Sequence, residues 1–315
     1  MKKLSIGFLD FGIRHTEMNS LLRVTDLLDY ASRADLLGFS RLWISEHHIP
    51  SRKQSWSNPT ILLPLLAGMT SRIKIGVAGI LLSIHQPYHV AGDYKMLNNL
   101  FPGRIDLGLA NGGVMPTVAE LATGIAGLNL PESFARHLEK LLFCLRDEEE
   151  LLQLGTVIPP FKGTVPEVWS LTTNMGRGLQ RAIDNKMHLS RSIFHKGADR
   201  EFHKEELLAF KEAFFARHGH YPQTNLVLAG AVHHTTAKAK AAVFATEEGY
   251  DYNIVGTANQ FYDTALQYQQ DYGFDEIILM NVAMKPKDRA VALELWSEAF
   301  SLKAAPAKAK KATAV

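Results

Sequence analysis

Cysteine is almost absent from this sequence, since only Cys144 occurs among its 315 residues. One thiol can build neither a disulfide framework nor a zinc site made of cysteines, so we expect a reducing, cytoplasmic environment. Long hydrophobic runs are also absent. No stretch approaches the roughly 20 consecutive apolar residues that a membrane helix needs, so no membrane partner is expected.

The sequence lacks an excess of charge of either sign. It holds 34 basic and 32 acidic residues, a net charge of +2. The last segment, 303–315, contains four lysines and no acid, and without it 30 basic residues stand against 32 acidic ones. We expect 303–315 to be a disordered Ala/Lys-rich tail and 1–302 to be a single domain. A body without a basic excess does not indicate a nucleic-acid partner.

Short apolar runs alternate with longer amphipathic segments along the chain. The apolar runs predict strands at 3–8, 41–45, 73–78, 104–109, 168–171, 187–190, 225–232 and 276–280. The segments between them predict helices at 21–37, 58–69, 88–100, 133–152, 175–185, 199–218, 235–248 and 257–272, with a last one at 289–302.

About eight strand–helix repeats predict a parallel α/β fold, and about 300 residues suit a (β/α)8 TIM barrel with loop insertions. The rival is a doubly wound sheet. That fold favours a GxGxxG turn after the first strand, where this chain has Leu9-Asp10-Phe11-Gly12. We therefore favour the barrel, whose active site lies at the carboxyl ends of its strands.

Polar and glycine residues follow several of the predicted strands. They are Glu46-His47-His48, Gly79, Asn111-Gly112-Gly113, the segment 172–178 and His233-His234. The histidine pairs lack the alternation that would place two ligands on one face, so no metal site is expected. Cys144 lies among leucines at helical spacing and is expected to be a core residue.

The region from 30 to 113 resembles the bacterial luciferase-like monooxygenases, a flavin-dependent family. The resemblance rests on the segment WISEHHIP at 43–50 and on matches in order at Ala67, Thr70, Arg72, Ile73, Gly76, His85, Pro87, Leu97, Gly103, Arg104 and Gly108. Residues 256–279 resemble the last helix and strand of that family, whereas 114–255 match only loosely.

The resemblance implies a TIM barrel that binds reduced flavin mononucleotide (FMN) and reacts it with O2 to oxidise a small organic substrate. It also implies a homodimer and a separate flavin reductase as partners. Such chemistry needs a flat apolar slot for the ring, fixed donors for the phosphate, and exclusion of bulk water.

Two catalytic residues follow from the resemblance. His47 matches a histidine that acts as a base or stabilises oxygenated flavin, a role that suits a side chain titrating near neutrality. Glu46 matches a carboxylate near the flavin, although it could equally pair with an arginine inside the barrel. Because neighbouring strand residues face opposite sides, we expect His48 to hold the loop rather than share a substrate with His47.

The cofactor-binding residues expected from the resemblance fall into two groups. Ala78 and Gly79 match a bulge, often with a non-prolyl cis peptide, that lies against the flavin ring, and Gly79 would leave space for the ring. Thr173, Asn174 and Arg177 match the phosphate segment, where a helix N-terminus favours an anion. Arg136 matches a second phosphate arginine, and Asn111 stands where many relatives have arginine.

Two other functions stay open. Several relatives bind a deazaflavin and transfer hydride without oxygen, and a flavin-binding subunit without catalysis is also compatible with Asn111. The substrate is expected to be chosen by the loops at 111–132, 155–166 and 191–200. Trp56 could line the substrate pocket or anchor its loop, and Trp43 is expected to pack in the core.

Overall fold

The structure, a computed structural model, describes residues 4–14, 19–48, 53–198, 204–243 and 250–302, without the side chains at 175 and 177. The segment 303–315, predicted to be a tail, lies outside the described residues. None of the described helices is long and apolar enough to cross a membrane.

Nine parallel strands are described, and eight of them close into a barrel. The strands are β1 Ser5–Asp10, β2 Arg41–Ile44, β3 Lys74–Leu81, β4 Ile105–Ala110, β5 Glu167–Thr172, β6 His188–Ser192, β7 Thr224–Val232, β8 Ile254–Gly256 and β9 Glu276–Asn281. Strands β1 to β7 pair in chain order, β7 pairs with β9, and β9 pairs with β1. The predicted TIM barrel is thereby confirmed.

Helices surround the barrel. They are α1 Ser20–Leu36, α2 Leu63–Met69, α3 Pro87–Leu100, α4 Pro116–Thr123, α5 Leu130–Arg146, α6 Glu148–Gln153, α7 Met175–Asp184, α8 Lys204–His218, α9 Thr236–Ala242, α10 Ala258–Tyr272 and α11 Pro286–Ala299. Side chains of Asn19, Asn129 and Thr235 accept backbone N–H groups at the starts of α1, α5 and α9. These caps satisfy donors that a helix leaves unpaired.

The structure differs from the predicted elements in several places. The helix predicted at 235–248 ends at Ala242, and the helix predicted at 58–69 begins with a 3-10 turn, Pro59–Leu62. The helix predicted at 133–152 is two helices, because Asp147 leaves the helical region with φ −107° and ψ 58°. Helix α4 was not predicted, since it lies in a glycine-flanked segment of weak resemblance. Strand β8 was also missed, because three residues are too few to show a period.

Two large apolar clusters fill most of the molecule, and a small third one is formed by Leu81, Ile84 and Ala119. The larger of the two lies between the barrel and its helices and includes Cys144, which is buried as expected. The smaller of the two lies inside the barrel and includes Leu9, Trp43, Trp169 and Val227. Residues on one face of a strand thus serve the outer core, while those on the other face fill the barrel.

A buried ionic layer closes the N-terminal end of the barrel. Arg41 on β2 pairs with Asp106 on β4 and, at 2.9 Å, with Glu276 on β9. Asp106 also accepts the indole N–H groups of Trp43 (2.9 Å) and Trp169 (3.2 Å). The guanidinium of Arg41 lies 4.4 Å from the centre of the Trp169 ring. Every polar atom of the Asp106 carboxylate therefore has a partner.

Candidate active site

A cavity of about 820 Å3 opens at the carboxyl ends of the strands. Most of its lining comes from the residues that end β1 to β7 or directly follow them. They include Leu9, Phe11, Glu46, His47, His48, Ala78, Gly79, Asn111, Leu171, Thr173, Asn174, Arg181, Ser192, His195, Val227 and Tyr250. This is the place where barrel enzymes carry their active sites.

Ala78 and Gly79 form an irregular part of the cavity wall. The register between β3 and β4 shifts between Val77 and Ile80, and the peptide bond between Ala78 and Gly79 is cis. A Cβ atom added at Gly79 would lie 2.5 Å from Cδ1 of Leu171 and 2.9 Å from the backbone N of Ala110. The glycine is therefore required by close packing against the neighbouring strands, whereas the expected reason was space for a flavin ring.

Substitution of Gly79 by alanine is expected to lower the free energy of unfolding by about 1–3 kcal/mol, because backbone atoms cannot move aside for the new Cβ. Urea denaturation of the purified variant measures this loss. Gly113→Ala is the matched control, since Gly113 also lines the cavity but has no atom within 4 Å of an added Cβ. Equal stability of both variants would contradict the steric explanation.

His47 lies in the cavity wall with its ring held at two points. Its Nδ1 atom is 2.9 Å from the hydroxyl oxygen of Ser45. The ring of Phe11 packs against it, with 4.7 Å between the two ring centres. A hydroxyl partner and an aromatic neighbour fix the orientation of the imidazole, as a proton-exchanging group requires.

Glu46 is buried, and its carboxylate accepts several hydrogen bonds. Oε1 accepts from Nε2 of His48 at 2.9 Å and of His85 at 2.8 Å, and Oε2 accepts from the backbone N–H of Leu81 at 3.0 Å. Burial raises the pKa of Glu46, but the hydrogen bonds from His48 and His85 outweigh it and hold the pKa at about 2. The partners are histidines rather than the arginine weighed above, and the ionised carboxylate ties β2 to β3.

The expectation that His47 and His48 face different spaces was wrong. Strand β2 ends at Ile44, so the alternation of strand residues does not extend to 47 and 48. Both histidines line the cavity. His48 also holds the loop through Glu46, as expected.

One end of the cavity has the features of an anion site. Asn111, Thr173 and Asn174 line it, and helix α7 begins immediately after Asn174. The side chain of Asn174 makes no capping hydrogen bond, so the first N–H groups of α7 are not satisfied by that side chain. Backbone N–H groups and the positive end of a helix favour a phosphate.

Arg181 adds a positive charge to the lining of the same cavity, where its side chain is bonded to β5. Its Nε donates to the Ser170 hydroxyl and its Nη2 to the Leu171 carbonyl, both at 3.1 Å, and the guanidinium lies 5.2 Å from the centre of the Phe134 ring. Burial lowers the pKa of Arg181. Within the described part of the chain no carboxylate is paired with this guanidinium, so its charge is available to a ligand.

The family of the chain follows from its sequence match. A sequence model of the luciferase-like monooxygenases matches residues 6–275. The chain belongs to this family. A luciferase-like monooxygenase of Escherichia coli K12 is 32% identical over 152 residues, which are 47% of this chain and 43% of that protein. The chain spans about half the length of the curated relatives it matches.

Solved structures agree with this assignment at the level of the fold. Apo-MsnO8 has a TM-score of 0.82 at 22% identity and covers 95% of this chain and 99% of its own. The oxygenating constituent of 3,6-diketocamphane monooxygenase from Pseudomonas putida, in complex with FMN, has a TM-score of 0.71 at 18% identity. It covers 96% of this chain and 97% of its own.

The structure describes the side chain of only one of the two arginines expected at the phosphate. The side chain of Arg177 lies outside the described part of the chain. Arg136 is exposed and does not line the cavity. The inward face of α5 carries Ser133, Phe134 and Leu138, and the helical period turns position 136 away from them.

Sequence reasoning missed two cavity residues of this luciferase-like protein, Arg181 and His195. Arg181 stands four residues after Arg177, so both lie on one side of α7, and this spacing was an available signal. His195 follows β6, and its Nδ1 is 2.6 Å from the Ser192 hydroxyl. The loop 191–200 was expected to help choose the substrate, but the loose family match gave no reason to single out His195 within it.

The two tryptophans singled out by sequence have separate roles. Trp56 does not line the cavity and anchors its loop, because its indole N–H donates to the carbonyl of Ser45 at 2.9 Å. Trp43 is buried as expected, but one side of it also contributes to the cavity lining. The described residues contain no group of three or more His, Cys, Asp or Glu side chains arranged to hold a metal ion.

Proposed function

We propose that this protein is an FMN-dependent monooxygenase that uses reduced flavin and O2 to oxidise a small organic substrate. The observation that carries the proposal is that one cavity combines an apolar wall with a cationic end. Its volume of about 820 Å3 lies in the range of ligand sites in proteins. Family membership makes flavin the first cofactor to consider.

The residues present fit FMN. Ala78, Gly79 and Leu171 offer an apolar wall for a flat ring. Thr173, Asn174 and the start of α7 offer hydrogen-bond donors for a phosphate, and Arg181 supplies the positive charge that Asn111 lacks. Charged donors to a phosphate form stronger hydrogen bonds than neutral ones.

FMN, when bound, supplies the electrons with which oxygen is activated. The protein contributes a group that exchanges protons and an apolar wall that excludes water. His47, oriented by Ser45 and Phe11, exchanges a proton at its ring with a group bound in the cavity. Trp43, Leu171 and Val227 exclude water from the wall that they line, which protects reactive species.

Glu46 takes a different part from His47. Its pKa of about 2 keeps the carboxylate ionised at neutral pH, so it does not serve as an acid there. Instead it fixes His48 and the backbone of Leu81, which follows the irregular segment of β3. A second copy of the chain and a flavin reductase stay predicted partners.

The proposal is tested by titrating the purified protein with reduced FMN under nitrogen and then mixing the complex with O2 in a stopped-flow instrument. Saturable binding followed by substrate oxidation supports it. Absence of FMN binding contradicts it and makes deazaflavin the next ligand to test. Binding without substrate oxidation favours the non-catalytic flavin-binding subunit.

Arg181→Ala is expected to weaken reduced FMN binding about 10- to 100-fold, because a charged hydrogen bond contributes about 1.5–3 kcal/mol. The same anaerobic titration measures the change. Arg217→Ala is the matched control, because Arg217 is an exposed cation paired with Asp184 and lies outside the cavity lining. Unchanged affinity in Arg181→Ala would remove this residue from the phosphate site.

A further inference from the structure

A second cavity of about 360 Å3 lies beside the large one and shares Glu46 and His48 with it. It is formed by the segments that follow β2 and β3, by α3 and by one residue of α4. Its titratable lining residues are Glu46, His48, His85, His89, Asp93 and Tyr94. Nothing in the proposed reaction yet uses this space.

Glu46 stands between the two cavities with a histidine on each side. His48 lines both cavities, whereas His85 lines only the second one. The Nε2 atoms of both rings bind the same carboxylate oxygen, at 2.9 Å from His48 and 2.8 Å from His85. The three side chains therefore form a continuous hydrogen-bonded chain across the wall.

The free ring atoms of this chain point away from Glu46. Since Nε2 of each histidine is bound to the carboxylate, Nδ1 is the atom left to exchange protons. No described residue is hydrogen-bonded to Nδ1 of His48 or of His85. Their side chains are 21% and 29% exposed, so water reaches both rings while Glu46 is only 1% exposed.

The shared carboxylate couples the charges of the two rings. Glu46 is ionised, and one imidazolium beside it would neutralise its single negative charge. A second imidazolium would lie beside the first, with both Nε2 atoms within 3 Å of one oxygen, and like charges at this distance repel strongly. Groups that interact in this way gain and lose protons as a pair.

We propose that His48, Glu46 and His85 form a coupled proton-exchange unit in which His48 releases a proton into the large cavity while His85 takes one from water in the second cavity. This inference rests on the proposed function. It makes His85, which does not touch the large cavity, a positioning residue for the proton chemistry of His48.

The exchange balances in protons and charge. Anionic reduced flavin, O2 and the substrate give oxidised flavin, the oxygenated substrate and water only when one proton is added. His48 supplies this net proton from Nδ1 and changes from imidazolium to neutral imidazole, whereas His47 gives back each proton that it takes and adds none. His85 gains one proton at Nδ1, so the three side chains keep a total charge of zero. The reverse exchange restores them when the large cavity is next open to solvent.

Other titratable groups line the two cavities beside His48, Glu46 and His85, and each could also exchange protons there. His89 and Asp93 on α3 line the second cavity, and burial raises the pKa of Asp93, with His89 acting against it. Tyr94 has its pKa raised by burial. His47 lines the large cavity beside His48. The remaining polar residues around the second cavity are neutral.

The first test uses the flavin-free protein and the variants His85→Gln and His89→Gln. A glutamine at 85 can still donate to Glu46 but cannot take up a proton, whereas His89 lines the same cavity without bonding to Glu46. Ring nitrogen chemical shifts measured by NMR between about pH 5 and 9 report ionisation. We expect His48 and His85 to titrate in two shared steps, and His48 to titrate in one step in His85→Gln only.

The second test follows proton uptake with a pH-indicator dye while the reduced FMN complex reacts with O2 alone, which gives oxidised flavin and H2O2 and also consumes one proton. We expect uptake of one proton in the same phase as flavin oxidation, and uptake and oxidation slowed about tenfold or more in His85→Gln. Imidazole added to His85→Ala should restore both rates, because it can enter the second cavity. His89→Gln should behave as the unchanged protein.

The proposal is overturned if His48 titrates identically in the unchanged protein and in folded His85→Gln. It is also overturned if imidazole does not restore proton uptake in His85→Ala. The NMR titration needs no cofactor, so a protein that fails to bind FMN refutes the proposed function while leaving the coupling of the two histidines to be judged separately.

Discussion

Substitution of His47 by alanine is expected to lower kcat/KM for substrate oxidation about 10²- to 10⁴-fold, while the affinity for reduced FMN changes less than about twofold. The imidazole exchanges a proton with the reacting group, whereas alanine leaves only an enlarged cavity. Ser45 and Phe11 hold the ring in place, so the loss measures proton exchange rather than reorganisation of a mobile side chain. Steady-state kinetics and an anaerobic flavin titration provide the two measurements.

The control for this substitution is His234→Ala. His234 also follows a strand, β7, but it is exposed and does not line the cavity. Its removal should leave both constants unchanged. If His47→Ala also kept full activity, His47 would not be catalytic, and another group in the cavity would carry the proton exchange.

Substitution of Asp106 by alanine is expected to lower the free energy of unfolding by about 3–5 kcal/mol, because removing one partner leaves a buried charge without compensation. The guanidinium of Arg41 would lose one of its two carboxylates. The indole N–H groups of Trp43 and Trp169 would lose their shared acceptor. Urea denaturation followed by tryptophan fluorescence measures the loss.

An exposed ion pair serves as the comparison. Asp184→Ala removes the partner of Arg217, whose side chain is 53% exposed. This substitution should lower the free energy of unfolding by about 1 kcal/mol or less. A loss below about 1 kcal/mol in Asp106→Ala would mean that water or a neighbouring side chain compensates Arg41 in the variant.

The barrel could be predicted from sequence because most of its eight strands are apolar runs long enough to recognise, although β6 contains only one apolar residue, Leu189. Segments such as the helix ending at Leu36 with Gly38 after it carry their own stop signals. The break at Asp147 could not be predicted, since the apolar residues on its two sides continue the same period. Strand β8 depends on its pairing with β7 and leaves almost no local pattern.

Sequence reasoning located His47, Ala78 and Asn174 in the cavity wall, because their places follow from the course of the backbone. It did not locate residues whose place in the wall depends on the direction of the side chain. Arg136 is one arginine among several in the sequence, and only the packing of α5 shows that it points outward. One partner of Glu46, His85, likewise lies 39 residues further along the chain, which no local pattern could show.

The closed floor of the barrel has a kinetic consequence. Because the layer of Arg41 and Asp106 fills the N-terminal end of the barrel, the cofactor and substrate of the proposed reaction would share the opening at the carboxyl ends of the strands. Two ligands bound one above the other in this cavity would not exchange independently. Under the proposed function, the ligand nearer the N-terminal end would bind first and leave last, so we expect an ordered reaction.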